Sequence, residues 1–207
     1  MVDTGIIALS LKIAIVATLI SAPPALAIAW LLARGRFWGR SILNAAVHLP
    51  LVLPPVVTGY VLLRVLGRRG VVGAFLEETF GLVFAFRWTG AAIAAAVMGF
   101  PLMVRAIRLA IESVDRDLED AAGTLGASPW WTFVTITLPL AFPGVLAGLI
   151  LGFAKALGEF GATITFVSNI PGETQTLALA IFTLIETPGT DQAVMRLVGV
   201  SVAVSFA

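Results

Sequence analysis

The sequence predicts an all-α integral membrane bundle, and three observations carry that prediction. Charged residues make up 12% of the chain against 59% hydrophobic, where a soluble domain carries about 25% charged. Several runs close to 20 residues, the length that crosses a bilayer, hold no charge. Arginines gather in particular segments between those runs instead of being spread evenly. At 207 residues the chain suits one membrane domain of several helices.

Residues 13–33, IAIVATLISAPPALAIAWLLA, form the first expected span. Ahead of it, Asp3 and the lack of a basic n-region do not fit a cleaved signal, and the run is too long for one. Residues 41–63, SILNAAVHLPLVLPPVVTGYVLL, form the second, interrupted by Pro50, Pro54 and Pro55. Each proline removes a backbone donor and bends the helix, so the freed carbonyls need a protein or water-lined surface. Broken helices at membrane depth often line a transport path; a packing kink is the plain alternative. A shorter uncharged run at 88–104 is extended by Arg105 and Arg108, which can snorkel. Residues 132–154, TFVTITLPLAFPGVLAGLILGFA, make the fourth span.

Two further runs, 160–172 and 174–185, are too short to cross and read as an outer loop over 158–190 carrying a short or re-entrant helix. A fifth span starts near Gln192 and is still apolar at Ala207, so the chain is expected to continue past that residue. Arg34, Arg36 and Arg40 with Arg105, Arg108 and Arg116 face Arg68, Arg69 and Arg87 on the other side. Six against three favours the N-terminus outside and the 112–131 loop in the cytoplasm.

That loop reads as two helix starts around a turn. Leu118, Ala121, Ala122 and Leu125 fall at i, i+3, i+4 and i+7, one stripe of a short helix. Asp117, Glu119 and Asp120 crowd its first turn, where the helix dipole favours negative charge. Gly126 suits a left-handed cap, and Ser128 followed by Pro129 suits the start of the next helix. An ordinary capped turn and a docking knob for a partner's groove both fit this spacing. A helix lying on the bilayer fits poorly, because its acids would face anionic lipid.

Other functional classes are disfavoured. No cysteine and one histidine rule out thiolate chemistry, disulfides and multi-ligand metal sites, so no metal and no cofactor is expected. A net charge of +1 without an aromatic-interleaved basic stripe gives no case for nucleic acid. Neither Lys12 nor Lys155 lies in a phosphate-binding glycine loop, so the chain lacks its own nucleotide site. An intramembrane enzyme would need a nucleophile and base, for which no motif is present. An ion-coupled secondary transporter would need an embedded acid, and the acids here sit in loops or at span edges. His48 suits an interfacial hydrogen-bonded residue better than a proton relay. Lys12, Arg64, Lys155 and Arg196 lie near span edges, where snorkelling competes with an electropositive entrance for an anion. Lys155 and Glu159, four apart, suit a simple pair.

Asp120, Ala121, Ala122, three residues, Gly126, nine residues, Ile136, one residue, Leu138 and Pro139 resemble the EAA motif of binding-protein-dependent ABC importer permeases, with Asp120 where the family usually has Glu. The stretches HLPLVLPPVVTGYVLL at 48–63, GRRG at 67–70, FPLMVRAIRLA at 100–110 and GEFGATITFVSNIPGET at 158–174 extend the resemblance to bacterial molybdate permease subunits.

The resemblance implies a five-span type I permease bundle over 6–207, embedded in membrane lipid of the bacterial plasma membrane and working as a homodimer. It implies two ATP-binding cassette subunits below and a periplasmic or lipid-anchored molybdate-binding protein above. In that family the loop is a coupling helix, which assigns docking to Leu118, Glu119, Asp120, Ala121, Ala122, Leu125, Gly126, Ile136, Leu138 and Pro139. It also assigns the path and gate to the second and fourth spans and the outer loop, with Pro50, Pro54, Pro55, Thr58, Gly59, Glu159, Gly161 and Thr163 as candidates. Thr58 and Thr163 offer uncharged donors for a tetrahedral oxyanion, although a threonine bonded to its own helix carbonyl is the plainer fate. Molybdate, tungstate and sulfate share that shape, and the resemblance favours molybdate.

Overall fold

A computed structural model describes residues 4–206, and those residues form helices and connecting turns with no strand among them. Helix α1 is Thr4–Arg34, α2 Arg40–Val52, α3 Pro55–Leu66, α4 Val71–Phe80 and α5 Trp88–Glu112. Then follow α6 Arg116–Thr124, α7 Pro129–Thr132, a π-helical turn Phe133–Thr137, α8 Leu138–Leu157, α9 Gly161–Val167, α10 Leu177–Ile185 and α11 Asp191–Phe206.

α1, α5 and α8 make the core, with α5 between the other two. One buried cluster joins Ala14 and Ala17 of α1 to Ala91–Met98 of α5 and Ala156 of α8; a second joins Ala29 and Leu32 to Met103, Ile107 and Ala141. The order of these residues makes α1 and α5 parallel and α8 antiparallel to both. The contacts are built from small side chains, as expected where lipid gives helices no hydrophobic reason to associate and close approach must do so. Gly144, Gly148 and Gly152, spaced by four, present one face of α8 to α5. A Cβ on Gly144 would meet Ala110 Cβ, and one on Gly148 would lie 2.9 Å from Ile107 Cγ1. No larger residue fits that seam.

Among the described residues, three helical segments are long and apolar enough to cross a membrane: Thr4–Arg34, Trp88–Glu112 and Pro129–Leu157. At 31 residues α1 is about 46 Å long, more than the hydrocarbon thickness, and it starts nine residues before the expected span. The proline-interrupted span expected at 41–63 is divided into two helices. α2 and α3 meet at an angle of 111° around Leu53 and Pro54. Pro55 cannot donate to Leu51 and Pro54 holds its predecessor extended, so the helix cannot pass through. The 158–190 segment holds two short helices, α9 and α10, and α4 occupies a segment for which the sequence suggested none. α11 covers 16 residues, below spanning length among the described residues.

Candidate functional site

The 112–131 segment folds as the spacing suggests, and its caps are explicit. Asp115 accepts the Asp117 N–H at 3.0 Å and starts α6. Gly126 ends it at φ +86°, with Gly126 N–H donating to Gly123 O and Ala127 N–H to Ala122 O, both at 3.0 Å. That is the paired arrangement of a Schellman cap. Ser128 accepts the Trp131 N–H at 3.3 Å and Pro129 opens α7. Leu118 and Leu125 are 48% and 89% exposed, Ala121 is exposed and Ala122 half-buried. A leucine pair left this bare on a nine-residue helix is surface that nothing in the described chain covers.

The acids of α6 divide by direction. Asp117 and Asp120 are exposed. Glu119 turns inward to the bundle, where Arg34 Nε and Nη2 donate to its Oε1 at 3.2 and 3.0 Å and Nε lies 2.9 Å from Oε2. Thr137 Oγ1 donates to the same Oε1 at 2.6 Å. Arg34 Nη2 also donates to Val114 O at 2.9 Å. In return, Arg116 Nη2 donates to Ala33 O at 3.5 Å and Arg40 Nη2 to Leu32 O, so basic side chains satisfy the last carbonyls of α1. Ile136, Leu138 and Pro139 lie apart from the exposed stripe, at the root of α8.

Between α7 and α8 the helix loosens into the π-helical turn, where the Leu138 N–H donates five residues back to Phe133 O. Pro139 removes the donor that Thr135 O would receive, and the β-branched Val134, Thr135, Ile136 and Thr137 weaken the regular turn. Thr135 Oγ1 donates to Trp131 O at 2.7 Å inside this turn. Phe133 packs edge-on against Trp30 of α1, ring centroids 5.7 Å apart.

The path candidates fall into three places. Pro55, Thr58, Gly59, Gly161 and Thr163 meet where α3 crosses α9; a Cβ on Gly59 would lie 2.5 Å from Ala162 O and one on Gly161 2.7 Å from Pro55 Cβ. Thr58 and Thr163 are buried there. Thr58 Oγ1 has no hydrogen-bond partner, which corrects the expected bond to its own helix carbonyl. Pro54 O is already taken by the Val57 and Thr58 N–H groups at 2.9 and 3.2 Å. Pro50 instead borders an apolar cavity of about 430 Å³ with Pro24, Val47 and Phe100, while Pro54 and Pro55 are exposed. Glu159 is buried at the α8–α9 corner; its Oε2 lies 2.6 Å from Lys155 Nζ and its Oε1 accepts the Ala162 N–H at 3.0 Å.

His48 is partly buried with Nδ1 2.8 Å from Asn44 O. Lys12 Nζ stands 3.6 Å over the Trp88 ring, and Arg64 and Arg196 are exposed. Among the described residues no cluster of His, Asp or Glu could hold a metal ion. Arg34 and Thr137 were not singled out from the sequence. Arg34 looked like an ordinary loop arginine, and only the β-branched run before Pro139 hinted at the irregular turn that presents Thr137.

The family model described as the inner membrane component of binding-protein-dependent transport systems matches residues 25–207. The molybdenum transport system permease protein ModB of Haemophilus influenzae is 58% identical over 195 residues, 94% of this chain and 85% of that protein. ModB of Escherichia coli K12 is also 58% identical, over 96% of this chain and 86% of its own length. The sulfate transport system permease protein CysT of E. coli K12 is 37% identical over 82% of this chain and 61% of its length. A chain from the crystal structure of an amino acid ABC transporter with histidines superposes with a TM-score of 0.61 at 20% identity, over 98% of this chain and 85% of that one. That similarity concerns the fold.

Proposed function

Because the chain belongs to the family of inner membrane components of binding-protein-dependent transport systems, we propose that it is the permease subunit of an ATP-driven importer that carries molybdate across the bacterial plasma membrane. The carrying observation is 58% identity to molybdenum permeases along nearly the whole chain, against 37% to a sulfate permease. The chain does no chemistry itself, and hydrolysis belongs to separate ATP-binding cassette subunits, two per homodimer. The exposed stripe of Leu118, Ala121, Ala122 and Leu125, with Asp120 beside it, supports docking of α6 onto those subunits. A short capped helix with a bare leucine pair and an outward carboxylate suits a groove with a basic rim.

In this reading the bundle crosses the membrane five times with its N-terminus outside, counting the bent α2–α3 pair and α11. The arginine distribution supports that orientation. The path is bounded by α3, α8 and α9, where Thr58 keeps a buried hydroxyl free. Pro50, Pro54, Pro55, Gly59, Gly161 and Thr163 shape that crossing, and Glu159 fixes its corner. A hydroxyl donor without fixed charge would hold a dianion loosely enough to release it. A periplasmic or lipid-anchored binding protein delivers the anion to the 158–190 side. Docking of that protein and closure of the ATPase pair then move the helices as packed bodies between outward-open and inward-open arrangements.

The test is reconstitution of the complete complex in liposomes with molybdate, tungstate or sulfate supplied through the binding protein. Uptake and stimulated hydrolysis with molybdate but not sulfate are expected. Equal responses to all three would remove molybdate selectivity, and no response from an intact complex would overturn the oxyanion reading.

A further inference from the structure

Helix α6 buries none of its residues. A cavity of about 250 Å³, bordered by Trp30, Gly123, Ala127 and Phe133, separates it from the bundle, with Arg34, Glu119 and Thr137 on its wall. Packing therefore does little to fix α6 against the membrane helices. The connection that remains is polar: Arg116 Nη2 donates to Ala33 O at 3.5 Å, and the contacts that reach both α1 and the root of α8 converge on the Glu119 carboxylate.

We infer that Arg34 and Thr137 are positioning residues for coupling: through Glu119 they tie α6 to the end of α1 and to the π-helical turn at the root of α8. The inference rests on the reading of 112–131 as the ATPase-docking loop, and it assigns Glu119 to the inside of this chain and away from the docking surface. Three features support it. Arg34 and Glu119 meet through two guanidinium nitrogens and both carboxylate oxygens, with side chains only 12% and 17% exposed. A forked pair of this kind fixes direction as well as distance, which a lysine could not do. Thr137 is 1% exposed and spends its hydroxyl proton on Glu119.

The π-helical turn is the third feature. One extra residue in a turn rotates everything after it by about 100° around the helix axis. The insertion between Phe133 and Thr137 thus sets which side chain of the α8 root faces the carboxylate. Turns of this type recur at functional sites because they hold an off-register residue at the cost of regular hydrogen bonds. A displacement of α6 would pull on α1 through Arg34 and on α8 through Thr137 together. Those two helices flank α5 in the core, so one carboxylate would address both sides of the bundle.

The experiment uses the full complex in liposomes with molybdate as the probe. Three readouts are ATPase co-purification, hydrolysis rate and anion transported per ATP. Thr137→Val, Arg34→Lys and Glu119→Gln are each expected to keep the ATPase bound and hydrolysis active, while anion per ATP falls about tenfold, within the usual range of site-to-site coupling. An unchanged ratio in Thr137→Val and Arg34→Lys would overturn the inference. Loss of the ATPase from Glu119→Gln would overturn it as well, since Glu119 would then be a docking contact. If Arg34→Lys does not accumulate in membranes, Thr137→Val, which loses one hydroxyl, decides alone. Leu125→Asp tests the loop reading separately. It should release the ATPase, and full assembly with normal uptake would overturn the docking role of α6 whatever the other variants do.

Discussion

The helix running from Pro129 to Leu157 has a paired carboxylate near each end, Glu159 buried and Glu119 partly buried, and the two are built differently. At one end Glu159 is served from its own neighbourhood: Lys155 four residues before it and the Ala162 N–H three residues after it. At the other, Glu119 is served by Arg34, 85 residues away, and by Thr137, 18 residues away. The first arrangement holds a corner within one segment of chain. The second joins α6 to α1 and to the root of α8 across a cavity. A clamp within one segment stabilises; a clamp across segments can also transmit.

The largest effect should come from leaving the Glu159 carboxylate alone. Its side chain is 1% exposed, and Lys155→Met removes its countercharge. Breaking one partner of a buried pair costs about 3–5 kcal/mol, whereas replacing both by neutral groups of similar size is often close to neutral. Lys155→Met should therefore destabilise the purified protein more than Glu159→Gln does, because Lys155 is 30% exposed and can turn outward. The double variant should recover most of the loss. Thermal unfolding in detergent reads the order directly; equal losses in all three would mean that Glu159 is not carried as a charge paired with Lys155.

A smaller effect on stability with a larger one on function is expected at Gly126. Its φ of +86° is left-handed, and a Cβ there meets nothing within 4 Å, so the penalty for another residue is conformational. That penalty is about 1–2 kcal/mol for an ordinary L-residue and greater for a β-branched one. Gly126→Val should unwind the end of α6 and uncouple or abolish uptake, while global melting barely moves because α6 buries no residue. Gly126→Asn, which tolerates the left-handed region, should retain most uptake. Normal uptake by Gly126→Val would remove the turn from the coupling pathway.

The contrast between the carboxylates also explains what the sequence made legible. Lys155 and Glu159 announce themselves because i, i+4 spacing puts them side by side on any helix. The caps at Ser128 and Gly126 and the stripe from Leu118 to Leu125 were readable for the same reason: their causes lie within a turn or two. The uncharged runs located α1, α5 and α8, since spanning is a property of local composition. Arg34 and Thr137 were not readable, because their partner is set by how α1, α6 and α8 come together. The 111° bend lay between these cases: Pro50, Pro54 and Pro55 marked a break, but the angle depends on the packing of α3 against α9. Thr58 went the other way, since its two-donor competitor at Pro54 O appears only when the bend exists.

The smallest effect should sit at Lys12, on the same end of the bundle as Glu159. Its ammonium stands 3.6 Å over the ring of Trp88, which opens α5 and whose N–H lies 3.5 Å from Glu173 Oε1. A cation over an indole contributes about 0.5–2 kcal/mol depending on how far it is desolvated. Methionine keeps the length and regains about 0.3–1.5 kcal/mol of sulfur–aromatic contact, so Lys12→Met should lower stability by less than about 1 kcal/mol. In a chain of this size that is a fall in Tm of at most about 4 °C. The functional arm matters more than the size of the shift. Lys12 joins two parallel helices at the end away from α6, so its removal should leave anion transported per ATP unchanged. A drop as large as the one expected from Thr137→Val would mean that any weakening of the bundle uncouples it, and the Glu119 clamp would lose its special place.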